Sequence, residues 1–273
     1  MVVFPPVKIN LGLYVTKRRE DGFHNIESIF VPVAFTDVLE VVENDRDEFR
    51  LFMSGLPVPG DADSNLVRKA YDILNEQFAL PGVDCYLHKI VPTGAGLGGG
   101  SSDGAFMLRL LKAKFDLPIS NEQLMKHAAT LGSDCPFFIQ DSACNVKGRG
   151  EILEPAGFSL RNKWIVLINP GIHVSTRQAF GLIEPNTAPS GWMEKLISAP
   201  YTAWQELAVN DFEAPVKRLY PEIADILESL KKAGAFYVSM TGSGSTCYGI
   251  FHQSPDVGFD FPENYLIKLV KGI

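Results

Sequence analysis

The sequence predicts a mixed α/β protein of two domains, and three observations carry that reading. A glycine-rich loop, Pro-Thr-Gly-Ala-Gly-Leu-Gly-Gly-Gly-Ser-Ser over residues 92–102, lies between a strand-like segment and a helical run. The strand and helix patterning restarts after Gly148-Arg-Gly150, which puts a domain join near residues 150–160. A chain of 273 residues, 46% hydrophobic and 21% charged, is long and apolar enough to bury two cores.

The elements follow in order. Val7–Val15 alternates as a strand and sets Lys8, Asn10 and Gly12 on one face, with Ile9, Leu11 and Leu13 on the other. A turn at residues 18–22 precedes strands at residues 26–35 and 38–43, and the Pro-, Gly- and Asp-rich stretch 55–64 is a loop. Asn65 to Phe78 reads as an amphipathic helix, and residues 84–91 alternate as a strand. Apolar Ala105, Phe106, Leu108, Leu111 and Phe115 recur at helical spacing, and a short helix at 122–131 ends at Gly132. In the second half, a strand at 163–168, helices near 192–207 and 216–233, and strands at 235–240 and 248–251 are expected.

The glycine loop speaks for phosphate. Glycine permits positive φ and lets a ligand approach the main chain without meeting a Cβ. A following helix start offers unpaired N–H groups and a positive dipole end, together an anion cradle. Gly94-x-Gly96-x-x-Gly99 formally matches the dinucleotide fingerprint, but Asp116, at nearly the right spacing for its acidic partner, ends a helix-like run rather than a second strand. No lysine follows as a Walker A loop requires. This is a third kind of nucleotide loop. A second cluster, Met240-Thr-Gly-Ser-Gly-Ser-Thr-Cys247, reads either as a hairpin turn or as a small-residue loop closing over the first. Asp134, after a helix end and before Pro136-Phe-Phe138, is either a cap or a carboxylate at a cleft wall with Lys8 as its partner.

Composition narrows the partners. A formal charge of −7 without basic clusters argues against nucleic acid and against an anionic membrane, so a polyanionic substrate must be met by local groups such as Lys8, Lys89 and the loop amides. Four dispersed cysteines and five histidines show no ligand spacing, and no metal ligands are assigned. No signal-like segment or apolar span is visible, and the expectation is a soluble, cytoplasmic protein.

Six motifs occur in a fixed order: Lys8-Ile-Asn-Leu, Asp21-Gly-Phe-His24, the loop Pro92–Ser102, Leu131-Gly-Ser-Asp-Cys-Pro136, Asn169-Pro-Gly171 and Met240-Thr-Gly-Ser-Gly244. Together they resemble the motif set of the GHMP kinase superfamily, over residues 7 to about 250. Lys8-Ile-Asn10 with Asp21-Gly-Phe-His24 points to the branch whose acceptor carries a cytidine diphosphate group. The resemblance implies an ATP-binding N-terminal domain, residues 1–152, of the ribosomal protein S5 domain 2-like type. It implies a ferredoxin-like α+β substrate domain, residues 153–273, with the active site in the cleft.

The implied reaction transfers the γ-phosphoryl of ATP, with Mg²⁺, to the 2-hydroxyl of a diphosphocytidyl methylerythritol. Asp134 and Lys8 match the catalytic pair. Pro92, Thr93, Gly94, Ala95, Gly96, Leu97, Gly98, Gly99, Gly100, Ser101 and Ser102 match the phosphate-binding stretch, and Asn65 and Lys89 match positions near the nucleotide. His24 matches the residue that hydrogen-bonds the cytosine, between Phe23 and Phe180 as the aromatic pair; Phe23 stands where many members carry Tyr. Asn10, Thr176, Gly242 and Ser243 match the acceptor side. A mevalonate- or homoserine-type kinase would share the loop without needing Phe23, His24 and Phe180. A regulator that binds ATP without consuming it would not need both Lys8 and Asp134.

Overall fold

The structure, a computed structural model, describes residues 1–140, 142–256 and 258–273. The chain opens with strands β1 (Val2–Val3), β2 (Pro6–Arg18), β3 (His24–Thr36), β4 (Val38–Glu43) and β5 (Phe49–Gly55), then helix α1 (Leu66–Phe78) and strand β6 (Val83–Lys89). Helices α2 (Gly99–Lys114), α3 (Asn121–Leu131) and α4 (Cys135–Gln140) follow the glycine loop. Next come β7 (Cys144–Lys147), β8 (Ile152–Pro155) and β9 (Trp164–Asn169). Helices α5 (Thr176–Gly181), α6 (Trp192–Ser198), α7 (Trp204–Leu207), α8 (Glu213–Leu219) and α9 (Glu222–Lys232) lead into β10 (Tyr237–Met240), β11 (Cys247–Phe251) and β12 (Leu266–Lys271).

Long-range contacts gather these elements into two compact units that are interleaved in sequence. The first is Met1–Val7, Phe35–Thr93 and Gly98–Asp141; the second is Lys8–Ala34, Gly94–Leu97 and Ser142–Ile273. Contact density thus groups the early strands with the late half of the chain. Some of their hydrogen bonds reach more than 200 residues downstream, as between the Asn10 backbone N–H and Thr241 Oγ1.

In the first unit the sheet order is β1-β4-β6-β5, with β4 antiparallel and β5 parallel to β6. Helix α1 is amphipathic and buries Val67, Ala70, Tyr71 and Leu74. It packs against α2, where Gly104 permits the approach: a Cβ there would stand 2.9 Å from Leu66 Cβ. Asn65 caps α1 by accepting from the Val67 N–H, the ordinary job of an Asn at that position. Ser120 and Gln123 form a reciprocal capping box on α3.

The second unit holds two four-stranded sheets, β10-β11-β9-β12 and β2-β3-β7-β8. Helix α9 covers β10 and β11 with Ile223, Ile226, Leu227 and Leu230. Strand β2 departs from the expected half-buried alternation: residues 6–15 are buried on both faces. Gly12 takes φ +68° inside it, and a Cβ there would meet the Trp192 ring at 2.7 Å. Two expected long helices are each divided, at Pro200 and at Pro221. Proline lacks the N–H that a continuing helix needs and clashes with the preceding turn. Among the described residues, no helix is long and apolar enough to cross a membrane.

Candidate active site

The glycine loop is divided between the units, with Pro92, Thr93 and residues 98–102 in the first and residues 94–97 in the second. In the first unit β6 delivers the chain to the loop and α2 begins at Gly99, its cap Gly98 at φ +71°. Ser101 and Ser102 occupy the first turn of α2; Ser102 Oγ is buried and has no hydrogen-bond partner among the described residues. Asp134 lies half-buried between α3 and α4, just before the buried run 135–139. Its neighbour Cys135 is an inert thiol, pushed up to about 12 by burial.

A cavity of 140 Å³ opens in this unit, walled by apolar Met53, Val58 and Leu87 and edged by Asn65, Thr93 and Gly100. Lys89 and Asp103 also line it. The expectation of Lys89 as a free phosphate-capturing cation is revised by geometry. Its ammonium is 3% exposed and donates to both Asp37 and Asp103, the latter at 2.6 Å. Asp37 in turn accepts from the Ile90 and Val91 backbone N–H groups at 2.6 and 2.9 Å, which fixes the end of β6. Burial opposes the charge on Lys89, but the two carboxylates overcome it and hold the pKa above its ordinary value. Asp103 is pushed up to about 7 by burial against the pull of Lys89, with Asp37's charge adding to the rise. Its Oδ1 is buried without a hydrogen-bond partner among the described residues.

In the second unit, residues 94–97 are gripped from two sides. Lys8 donates from its backbone to the Leu97 carbonyl at 3.0 Å and from its ammonium to the Gly96 carbonyl at 3.0 Å. The ammonium also donates to Asn10 Oδ1 at 2.6 Å and stands 4.7 Å over the Phe30 ring. The loop 241–246 closes on the opposite side, and Thr241 Oγ1 lies 3.1 Å from both Asn10 Oδ1 and Gly96 O. Gly96 has to be glycine: at φ +77° a Cβ would stand 2.1 Å from the Thr241 carbonyl oxygen. The cluster at 240–247 is therefore both things the sequence allowed, the connection between antiparallel β10 and β11 and a second loop against the first.

Asn10 is fully buried and its amide is engaged on both ends. Oδ1 accepts from Lys8 and from the Gly242 N–H at 2.8 Å, and Nδ2 donates to Ser28 Oγ at 2.9 Å. That geometry makes it a strut between β2 and the 241–246 loop. Ser243 and Thr176 are brought together, hydroxyl to hydroxyl at 3.2 Å, at the start of α5.

The aromatic residues also meet, in an arrangement of their own. His24 stacks on Phe180 with ring centroids 4.7 Å apart and an interplanar angle of 14°. Phe180 is braced edge-on by Phe212 at 4.8 Å. Phe23 is 56% exposed, with the Arg149 guanidinium 4.7 Å above its ring. Burial and the Arg18 charge both lower the pKa of His24, so its imidazole is neutral at pH 7 and offers one donor and one acceptor nitrogen.

Sequence reasoning passed over Asp37, Asp103, Thr241 and Arg149. A lone acid between two strand runs (Asp37), or inside a helix start (Asp103), was the available signal.

The sequence model described as GHMP kinases N terminal domain matches residues 65–142, and that described as GHMP kinases C terminal matches residues 193–259. A crystal structure of homoserine kinase from Cytophaga hutchinsonii superposes with a TM-score of 0.73 at 15% identity, covering 99% of this chain and 94% of that one, a likeness of fold alone. These define the class: a GHMP kinase. A 4-diphosphocytidyl-2-C-methyl-D-erythritol kinase of Bacteroides fragilis is 45% identical over 253 residues, 92% of each chain. A crystal structure of a 4-(cytidine 5'-diphospho)-2C-methyl-D-erythritol kinase shares 32% identity with a TM-score of 0.75, covering 92% of this chain and 90% of the other. The chain belongs to the 4-diphosphocytidyl-2-C-methyl-D-erythritol kinase family.

Proposed function

We propose that this enzyme transfers the γ-phosphoryl group of ATP to the 2-hydroxyl of 4-diphosphocytidyl-2-C-methyl-D-erythritol, a step of non-mevalonate isoprenoid precursor synthesis. The observation that carries the reading is the 45% identity, over 92% of both chains, to a relative of that name. Family matches at 65–142 and 193–259 support a nucleotide-binding domain at residues 1–152 and a substrate domain at residues 153–273, with residues 8–34 and 94–97 packing with the later elements.

The chemistry asks little covalent work of the protein. An ordinary carboxylate, with a pKa of about 3.9, does not ionise an alcohol in the ground state. Asp134 orients the hydroxyl and takes its proton late, as the loose transition state forms. Lys8, its ammonium aimed by Asn10 and Gly96, neutralises charge on the moving phosphoryl group. The amides of residues 94–102 and the α2 N-terminus hold the phosphates. The cavity edged by Asn65 and walled by Met53, Val58 and Leu87 takes the nucleotide base. Neutral His24 with Phe23 and Phe180 reads the cytosine, and Thr176, Gly242 and Ser243 face the acceptor.

Mg²⁺ would be the accompanying ion: bound with the nucleotide, it would supply neutralisation of phosphate charge. The test is phosphorylation by ATP of the cytidylyl alcohol beside mevalonate and homoserine. ADP formation coupled to the cytidylyl alcohol alone is expected, and turnover confined to another alcohol overturns the proposal.

A further inference from the structure

Phe23 sits at the tip of the β2–β3 hairpin, where 56% exposure leaves its ring little to pack against. Its backbone is fixed, with its carbonyl accepting from the Arg19 N–H at 2.8 Å and its N–H donating to Asp21 Oδ1 at 3.1 Å. The turn between β7 and β8 is clipped to the same hairpin, because the Ile26 N–H donates to the Gly148 carbonyl at 2.7 Å. Gly148 takes φ +71° there, and the turn carries Arg149 over the ring, its guanidinium carbon 4.7 Å from the centroid. A cation on one face immobilises a ring and draws its π-density, which leaves the opposite face better suited to stack on an electron-rich base.

From this geometry we infer that Arg149 is a positioning residue for base recognition: its guanidinium sets the Phe23 ring as a platform for the cytosine of the acceptor. The inference rests on the cytidylyl-alcohol reading above. It assigns the platform's orientation to a residue on a different hairpin, 126 positions from the ring it holds.

The test uses the full-length enzyme, with steady-state kinetics on the cytidylyl alcohol and calorimetric titration of CDP as the binding probe. Arg149→Ala is expected to raise KM for the alcohol and Kd for CDP about two- to tenfold, the range of a cation over a partly exposed ring. The turnover number and KM for ATP stay within about twofold, and Arg149→Lys recovers part of the loss. In a Phe23→Leu background, Arg149→Ala adds nothing further, since the ring through which it acts is gone. An equal rise in both backgrounds overturns the inference, because Arg149 then acts on the substrate directly or through the fold. An unchanged KM in an enzyme that phosphorylates the alcohol normally overturns it alone. Absence of both turnover and CDP binding in the unaltered enzyme overturns the functional reading, and this inference with it.

Discussion

The two units each bury a lysine to 3% exposure, and they hold it by different means. In the first, Lys89 is bonded to Asp37 and Asp103, opposite charges in a dry setting. In the second, Lys8 is aimed by the Asn10 amide, the Gly96 carbonyl and the face of Phe30. Carboxylates neutralise an ammonium, while carbonyl dipoles orient it. Lys89 is thus built into the cavity wall, and Lys8 has an amide oxygen, a main-chain carbonyl and a ring face among its partners. The comparison is tested by whether loss of Lys89 falls first on stability and loss of Lys8 first on turnover.

The largest effect should come from breaking the buried ion cluster. Lys89→Met leaves two carboxylates without their cation and should cost about 3–5 kcal/mol, read by urea unfolding. Equal destabilisation by Lys8→Met would break the comparison. Next, Lys8→Met and Asp134→Ala should each lower the turnover number about 10²–10³-fold while KM for ATP moves little. Near-normal rates in either variant would remove that residue from the chemistry.

A smaller effect tests the grip on the loop. Gly96→Ala drives a Cβ toward the Thr241 carbonyl from a left-handed backbone and should cost about 1–3 kcal/mol. Gly100→Ala meets nothing within 4 Å and should leave stability nearly unchanged. The smallest effect is graded with pH. Asp103, raised in the fold to about 7, favours its protonated form, so its contribution is present in acid and lost as pH rises through that value. Asp103→Asn, neutral throughout, should therefore gain about 1–2 kcal/mol on the unaltered protein between pH 5 and 8, measured by thermal melts across that range. Parallel profiles would show that Asp103 is already ionised at the acid end.

Much of the site was legible because its signals are local. Asn65 heads the apolar-periodic run expected as a helix, and the structure makes it the cap of α1. Five glycines running into a helix start mark a cradle whatever the rest of the chain does. What stayed hidden depends on distance or on a single residue. Asp37 has no motif around it; its importance comes from β6, which ends 52 residues later with Lys89. Strand β5 carries no clean alternation, since it pairs in parallel at the sheet edge, and β12 was passed over although Pro262, Asn264 and Gly272 bracket its apolar run. Pro200 and Pro221 were visible as breakers, but apolar spacing on either side outweighed them. That Asn10 also bonds to a loop 231 residues away is revealed by no local pattern.

The interleaved order of the two units carries a consequence for biosynthesis. Residues 8–34 leave the ribosome more than 200 residues ahead of the last strand of their unit, Leu266–Lys271. At ordinary elongation rates that interval is on the order of tens of seconds. Throughout it, an apolar hairpin is held without its final partners, a natural client for a holding chaperone.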